Sequence, residues 1–169
     1  MKKIFRYLLL SLLWPLLTAC PGSVEPINSA YQPVLMSRTQ LETSVMKKPP
    51  LPIVDPGKLY RYGNYILINE KYKGVHIINN QNPKAPENLA FIQVPGNVDF
   101  VVKNNIMYLD NAVDLVAIDL QDLNNLQVKK RVRNAFPDLQ PPDSNLGRYY
   151  LGDAPENAII VGWELDKTK

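Results

Sequence analysis

Few side chains in this 169-residue sequence have reactive chemistry. Cys20 is the only cysteine and His76 the only histidine. A thiol can act as a nucleophile or an attachment point, whereas a disulfide would need a second cysteine. An imidazole can act as base or metal ligand, but His76 lies among Val75, Ile77 and Ile78, with no nucleophile or second histidine nearby in sequence. A structural strand position accounts for it. Asp110, Asp114, Asp119 and Asp122 offer the oxygen ligands that calcium prefers. Their spacing lacks the alternating loop and closing Glu of an EF-hand, and Asp at strand ends satisfies turn backbone. There is no glycine-rich phosphate loop, paired-cysteine signature or G-x-S-x-G elbow. The sequence predicts no catalytic residue, metal site or cofactor. The aromatics Tyr60, Tyr62, Tyr65, Tyr72, Tyr149, Tyr150 and Trp163 remain; flat rings with polar tips can line a glycan or peptide groove. Packing between sheets explains Tyr60, Tyr62 and Tyr65 more simply. Tyr149 and Tyr150, on an irregular loop, are the better groove candidates.

The element that would position Cys20 is a secretory leader. Lys2, Lys3 and Arg6 precede an apolar run from Tyr7 to Leu17, which has about half the roughly 20 residues needed to span hydrocarbon and contains Pro15. The order of charge and apolar run fits a signal peptide over residues 1–19. Leu17-Thr18-Ala19-Cys20 resembles the lipobox of bacterial lipoproteins. The resemblance implies diacylglyceryl attachment to Cys20, cleavage before it, and anchorage by acyl chains without a transmembrane helix. Pro21 stands where inner-membrane lipoproteins carry Asp, which directs the expectation to the outer membrane of the cell envelope.

The formal net charge is +3, and Lys2, Lys3 and Arg6 account for all of it because residues 1–19 contain no acid. The remaining side chains balance, giving no electrostatic reason to expect nucleic acid as a partner. The basic cluster Lys129-Lys130-Arg131 with Arg133 reads as an outer strand guarded by charge against edge pairing.

Residues 20–56 are interrupted by Pro21, Pro26, Pro33, Pro49, Pro50, Pro52 and Pro56, and the expectation is a tether with little regular ladder. One short helix is expected near Ser37 or Thr39, each followed three residues later by Gln40 or Glu42. Residues 57–133 carry an internal repeat. Tyr60 to Asn69 overlays Val101 to Asp110, and after a one-residue deletion Gly74 to Asn79 overlays Asp114 to Asp119. The period is about forty residues. Each unit offers four strands, near 58–62, 65–69, 74–79 and 88–94, then near 98–103, 106–110, 113–119 and 126–133. Runs such as Ile66-Leu67-Ile68 and Leu115-Val116-Ala117-Ile118 are apolar on successive residues and must be covered on both faces. Residues 134–169 read as a proline-rich loop followed by a strand at 158–163.

The strand pair Gly63-Asn64-Tyr65-Ile66-Leu67-Ile68-Asn69 and Gly74-Val75-His76-Ile77-Ile78-Asn79, with its Asn80-Gln81-Asn82-Pro83 loop, resembles the LVIVD-type β-propeller repeat. The second unit matches less fully, with Leu123 where the loop proline would stand. The resemblance implies an all-β fold of two four-stranded propeller-like blades, an incomplete propeller, plus a C-terminal strand. Two blades cannot close a ring of the usual four to eight. Their outer faces therefore need cover from the tether, the end segment or another chain. The resulting expectation is a non-enzymatic envelope lipoprotein presenting a surface for protein or glycan. The alternative is a shortened relative with a structural role, with self-association completing the assembly.

Overall fold

The computed structural model describes residues 29–143, 155 and 157–167. The expected leader 1–19, Cys20, the start of the tether and Tyr149-Tyr150 lie outside the described residues. The order is β1 (Tyr31–Met36), α1 (Arg38–Thr43), β2 (Met46–Lys48), β3 (Pro56–Tyr62), β4 (Tyr65–Glu70), β5 (Gly74–Asn79), β6 (Glu87–Gln93), β7 (Phe100–Lys103), β8 (Ile106–Asn111), β9 (Asp114–Asp119), β10 (Val128–Val132) and β11 (Ile159–Leu165).

The two repeat units fold as two antiparallel meanders. Strands β3 to β6 form the first, and β2 adds to its β6 edge, giving a five-stranded sheet. The second sheet is four-stranded, in the order β10-β9-β8-β7. The apolar faces meet as the repeat requires: Leu67, Val75, Ile77 and Ile92 from one sheet share a core with Phe100, Met107, Leu109 and Val116 from the other. Burial of each such side chain contributes about 1.5–3 kcal/mol. Tyr60, Tyr62 and Tyr65 pack against that core, and Tyr60 meets Phe100 edge-on with ring centroids 6.3 Å apart.

The third sheet pairs β1 antiparallel with β11, so a strand inside the expected tether joins the C-terminal strand. The expectation of little ladder between 20 and 56 is corrected by β1 and β2. Pro33 is tolerated because a two-stranded sheet consists only of edges, and β2 is itself an edge. Ser37 caps α1 in a reciprocal capping box with Gln40. The helix stops before Val45, and its buried residue Leu41 joins Ala112, Val113, Ile159 and Val161 in a smaller core beneath the third sheet. Among the described residues the three sheets do not close into a barrel.

Buried amides join the two large sheets. Asn69 is the next-to-last residue of β4 and Asp110 occupies the equivalent place in β8; Asn69 Nδ2 donates to Asn97 Oδ1 at 2.6 Å, and Asn97 Nδ2 donates to Asp110 Oδ1 at 2.8 Å. Gly96 beside this junction has φ +79, and a Cβ there would lie 2.6 Å from the Ala112 backbone. Only glycine allows that approach.

Candidate functional site

The outer face of the first sheet is covered by the proline-rich stretch 49–55, which crosses it as a strap. At one end Asn88 Nδ2 donates to the Leu51 carbonyl at 2.8 Å. At the other, the Glu70 carboxylate accepts the backbone N–H groups of Val54, at 3.1 Å, and Asp55, at 2.8 Å. The same carboxylate receives His76 Nε2 at 3.2 Å, with the His76 and Glu70 side chains 0% and 3% exposed. Burial pushes the Glu70 carboxyl up, but donation from Asp55, Val54 and His76 outweighs it and holds the group below its ordinary value. An ionised carboxylate only accepts, so a neutral His76 carries its proton on Nε2. Its Nδ1 is buried without a hydrogen-bond partner among the described residues. The ring lies against Phe91, with centroids 4.8 Å apart. The sole histidine is thus part of the clasp that fastens the strap.

Above Phe91 opens a cavity of about 650 Å³, walled by the strap, the β4–β5 turn and the third sheet. Its rings are Tyr31, Tyr72, Phe91 and Trp163, and its charged groups include Asp55, Lys73 and Glu164. Tyr72 holds φ +61, a left-handed conformation that a bulky side chain rarely adopts. Two bonds fix it there: Tyr72 N–H donates to the Asn97 carbonyl at 2.7 Å, and Gly96 N–H donates to the Tyr72 carbonyl at 2.9 Å. Its ring packs against Gly162, where a Cβ would stand 3.2 Å from Tyr72 Cβ. Burial raises the Tyr72 phenol above its ordinary value, with nearby Asp55 and Tyr31 adding to the effect. The Trp163 indole N–H donates to the Leu139 carbonyl at 3.1 Å.

The chain matches no protein-family model, no curated protein and no solved structure. The site therefore rests on its own geometry. Of the aromatics singled out in sequence, the fold brings Tyr72 and Trp163 together. Tyr62 and Tyr65 go to a second, more polar cleft of about 500 Å³, beside Asp122 and Asn124. Tyr31 and Phe91 complete the first cavity without standing out in sequence, because each is separated from Tyr72 by chain that only the β1–β11 pairing and the β5–β6 ladder bring back.

The four aspartates divide by role. Asp119 and Asp122 accept turn N–H groups from Gln121 and Asn124 at 2.9 Å each. Asp110 accepts those of Val98 and Asp99, at 2.9 Å each. Burial lifts its carboxyl above the usual value despite these donors. Asp114 instead is enclosed by two guanidinium groups, Arg38 at 2.8 Å and Arg131 at 2.9 Å, with its side chain 0% exposed. Burial raises its pKa, and Arg38, the Asn134 N–H and Arg131 more than reverse this, holding it below the ordinary range. The expected outer strand β10 is indeed an edge. Its Arg131 turns inward to Asp114 and Asn111, and Arg133 pairs with Glu42 at 2.8 Å, so part of the basic cluster fastens α1 to the second sheet.

The outer face of the second sheet carries Val101, Tyr108 and Val132, which are 53%, 36% and 43% exposed. Register places Val101 opposite Tyr108, and Tyr108 opposite Ala117, so one end of the sheet stack has a strap and the other a bare apolar row.

Proposed function

We propose that this chain is a non-enzymatic lipoprotein of the cell envelope, held on the outer membrane by lipid on Cys20, whose stacked sheets are propeller-type blades of the LVIVD kind presenting a binding cavity for protein or glycan. The observation that carries the binding reading is Tyr72, kept in a left-handed backbone conformation at the wall of an aromatic cavity. Such strain costs about 1–3 kcal/mol and persists where the surroundings impose it, commonly at ligand clamps. The anchor rests on the Leu17-Thr18-Ala19-Cys20 pattern and the charged apolar leader before it. Metabolic labelling with an alkyne palmitate analogue tests the anchor: wild type takes label and Cys20→Ser does not. A photo-crosslinking residue placed at the exposed Lys73 tests the cavity in intact cells. A discrete adduct lost on Tyr72→Asn supports it, and absence of any adduct refutes it.

The bare face of the second sheet favours a second reading, a shortened propeller relative whose role is assembly, completed by self-association. Sedimentation of the detergent-solubilised chain distinguishes the two. An oligomer dispersed by Tyr108→Lys supports assembly, and a monomer at all concentrations refutes it.

A further inference from the structure

We infer that the cavity beside Tyr72 takes an extended, proline-bearing peptide segment of a partner protein, an assignment that rests on the binding reading above and narrows its ligand class. The chain already holds two proline-bearing segments of its own at the cavity walls. Leu139 precedes Pro141 and Pro142; its carbonyl accepts the Trp163 indole N–H at 3.1 Å, while Pro142 contributes to the lining. Leu51 lies between Pro50 and Pro52; its carbonyl accepts Asn88 Nδ2 at 2.8 Å, and its side chain also lines the cavity. In each case a side-chain N–H reads a carbonyl of an irregular, proline-flanked stretch, and at Leu139 that N–H belongs to an aromatic ring of the cavity. That is how aromatic-lined grooves read polyproline II backbone, which leaves its carbonyls free of internal bonds and is already extended before binding.

Between these two walls stand Tyr31 and Tyr72, whose hydroxyls have no hydrogen-bond partner among the described residues. They are the donors left for a third segment's carbonyls. Asp55 and Glu164 are matched at the cavity by Lys71 and Lys73, and Lys71 already lies over the Tyr72 ring at 5.1 Å, so charge does not select the residues beside the prolines. A sugar would also stack on the rings. The proline-flanked carbonyls already seated at both walls favour the peptide.

Fluorescence anisotropy of the full-length chain in detergent tests the assignment, with a labelled decaproline peptide as probe. Its glycine-substituted counterpart and a labelled chitin hexasaccharide serve as comparisons. The expected result is saturable binding of the proline peptide alone. Tyr31→Phe and Tyr72→Phe, which keep the rings, should each weaken it about fivefold, the size of one net hydrogen bond. Unchanged thermal unfolding of both variants would assign the loss to the hydroxyls. Binding of the hexasaccharide but not the peptide, lost on Tyr72→Asn, overturns the peptide class while sustaining a ligand cavity. Equal binding of the glycine peptide, or proline-peptide binding indifferent to both tyrosine changes, overturns the assignment. Binding of neither probe, together with an adduct at Lys73 in cells, also overturns the peptide class without refuting the cavity.

Discussion

Replacing Glu70 with glutamine tests the clasp at a single atom. The carboxylate gathers three N–H groups, from Val54, Asp55 and His76. In Glu70→Gln the amide oxygen can keep the strap's N–H groups, but the new NH₂ then faces His76 Nε2. Two donors cannot share that contact, so His76 must move its proton to Nδ1, which has no partner among the described residues. Nδ1 is unpaired in either tautomer, so this swap of an unpaired acceptor for an unpaired donor adds only part of the about 1–3 kcal/mol cost of an orphaned polar group, and loss of charge assistance on the retained bonds adds about 1 kcal/mol. The expected destabilisation is about 1–3 kcal/mol at pH 7. Urea unfolding followed by tryptophan fluorescence reads it, because Trp163 is the single tryptophan outside the 1–19 leader. The folded pKa of Glu70 is lowered. Its contribution is therefore complete above the unfolded carboxylate value of about 4.3 and disappears as pH falls through the lower folded value. Wild type and Glu70→Gln should converge in stability through that window, since a protonated carboxyl resembles the amide, while Asp114 titrates in both and cancels. A difference under about 0.5 kcal/mol at pH 7, within ordinary surface-substitution scatter, would refute the clasp. A difference independent of pH would refute its electrostatic basis.

Two further outcomes follow from the same structure. Asp114→Ala leaves Arg38 and Arg131 facing each other without their shared acid and should cost about 3–5 kcal/mol in the same unfolding assay. In wild type the contribution of this lowered carboxyl should vanish as pH falls below about 4. Gly63→Ala meets no atom within 4 Å and pays only for φ +56, about 1–2 kcal/mol. Gly96→Ala also drives its Cβ into the Ala112 backbone, so its melting temperature should fall clearly further than that of Gly63→Ala.

The repeat made much of the fold legible. Strand pairs recur wherever apolar runs alternate with Gly or Asn turns, and the meanders at 56–93 and 100–132 follow the expected spans closely. The capping box at Ser37 was equally readable, because its signal is local. The sequence did not reveal where the proline-rich stretch 49–55 lies. A proline-rich segment cannot join an inner ladder, but it can still satisfy its carbonyl and N–H groups on side chains such as Asn88 and Glu70, and these contacts are 37 and 15 to 16 residues away. Nor did local pattern show that Arg131, in an apparently solvated basic run, answers a buried carboxylate. Strand alternation placed its side chain inward, and only the second sheet's position beside α1 supplied Arg38 as its companion. Tyr72 was visible as one ring among several. Its left-handed backbone is imposed by Asn97 and Gly96 from the next unit, a tertiary constraint that residue type does not announce.

The place where the two repeats diverge is also the place where the cavity forms. The turn from β4 to β5 spans Lys71 to Lys73, whereas the turn from β8 to β9 holds only Ala112 and Val113. Both contain a non-glycine residue in the left-handed region, Tyr72 at φ +61 and Ala112 at φ +56. In the second unit that residue is small and buried in the core beneath the third sheet, where it helps join the sheets. In the first it is a tyrosine that packs on Gly162 at the cavity wall. The strand following each turn differs too: Asp114 stands opposite Gly74 in the overlay and binds two arginines, while Gly74 lets β6 come so close that a Cβ would strike the Ile92 carbonyl. One repeat unit thus places its turn residue wholly inside a core, and its partner places an equivalent backbone position at the cavity wall, bonded to Asn97 and Gly96. Both turns hold the same strained backbone, and they differ in the side chain it carries: alanine in a core, tyrosine at the cavity wall. That asymmetry is the physical ground for proposing a binding surface at the first unit, while Asp114 and its arginines attach the second.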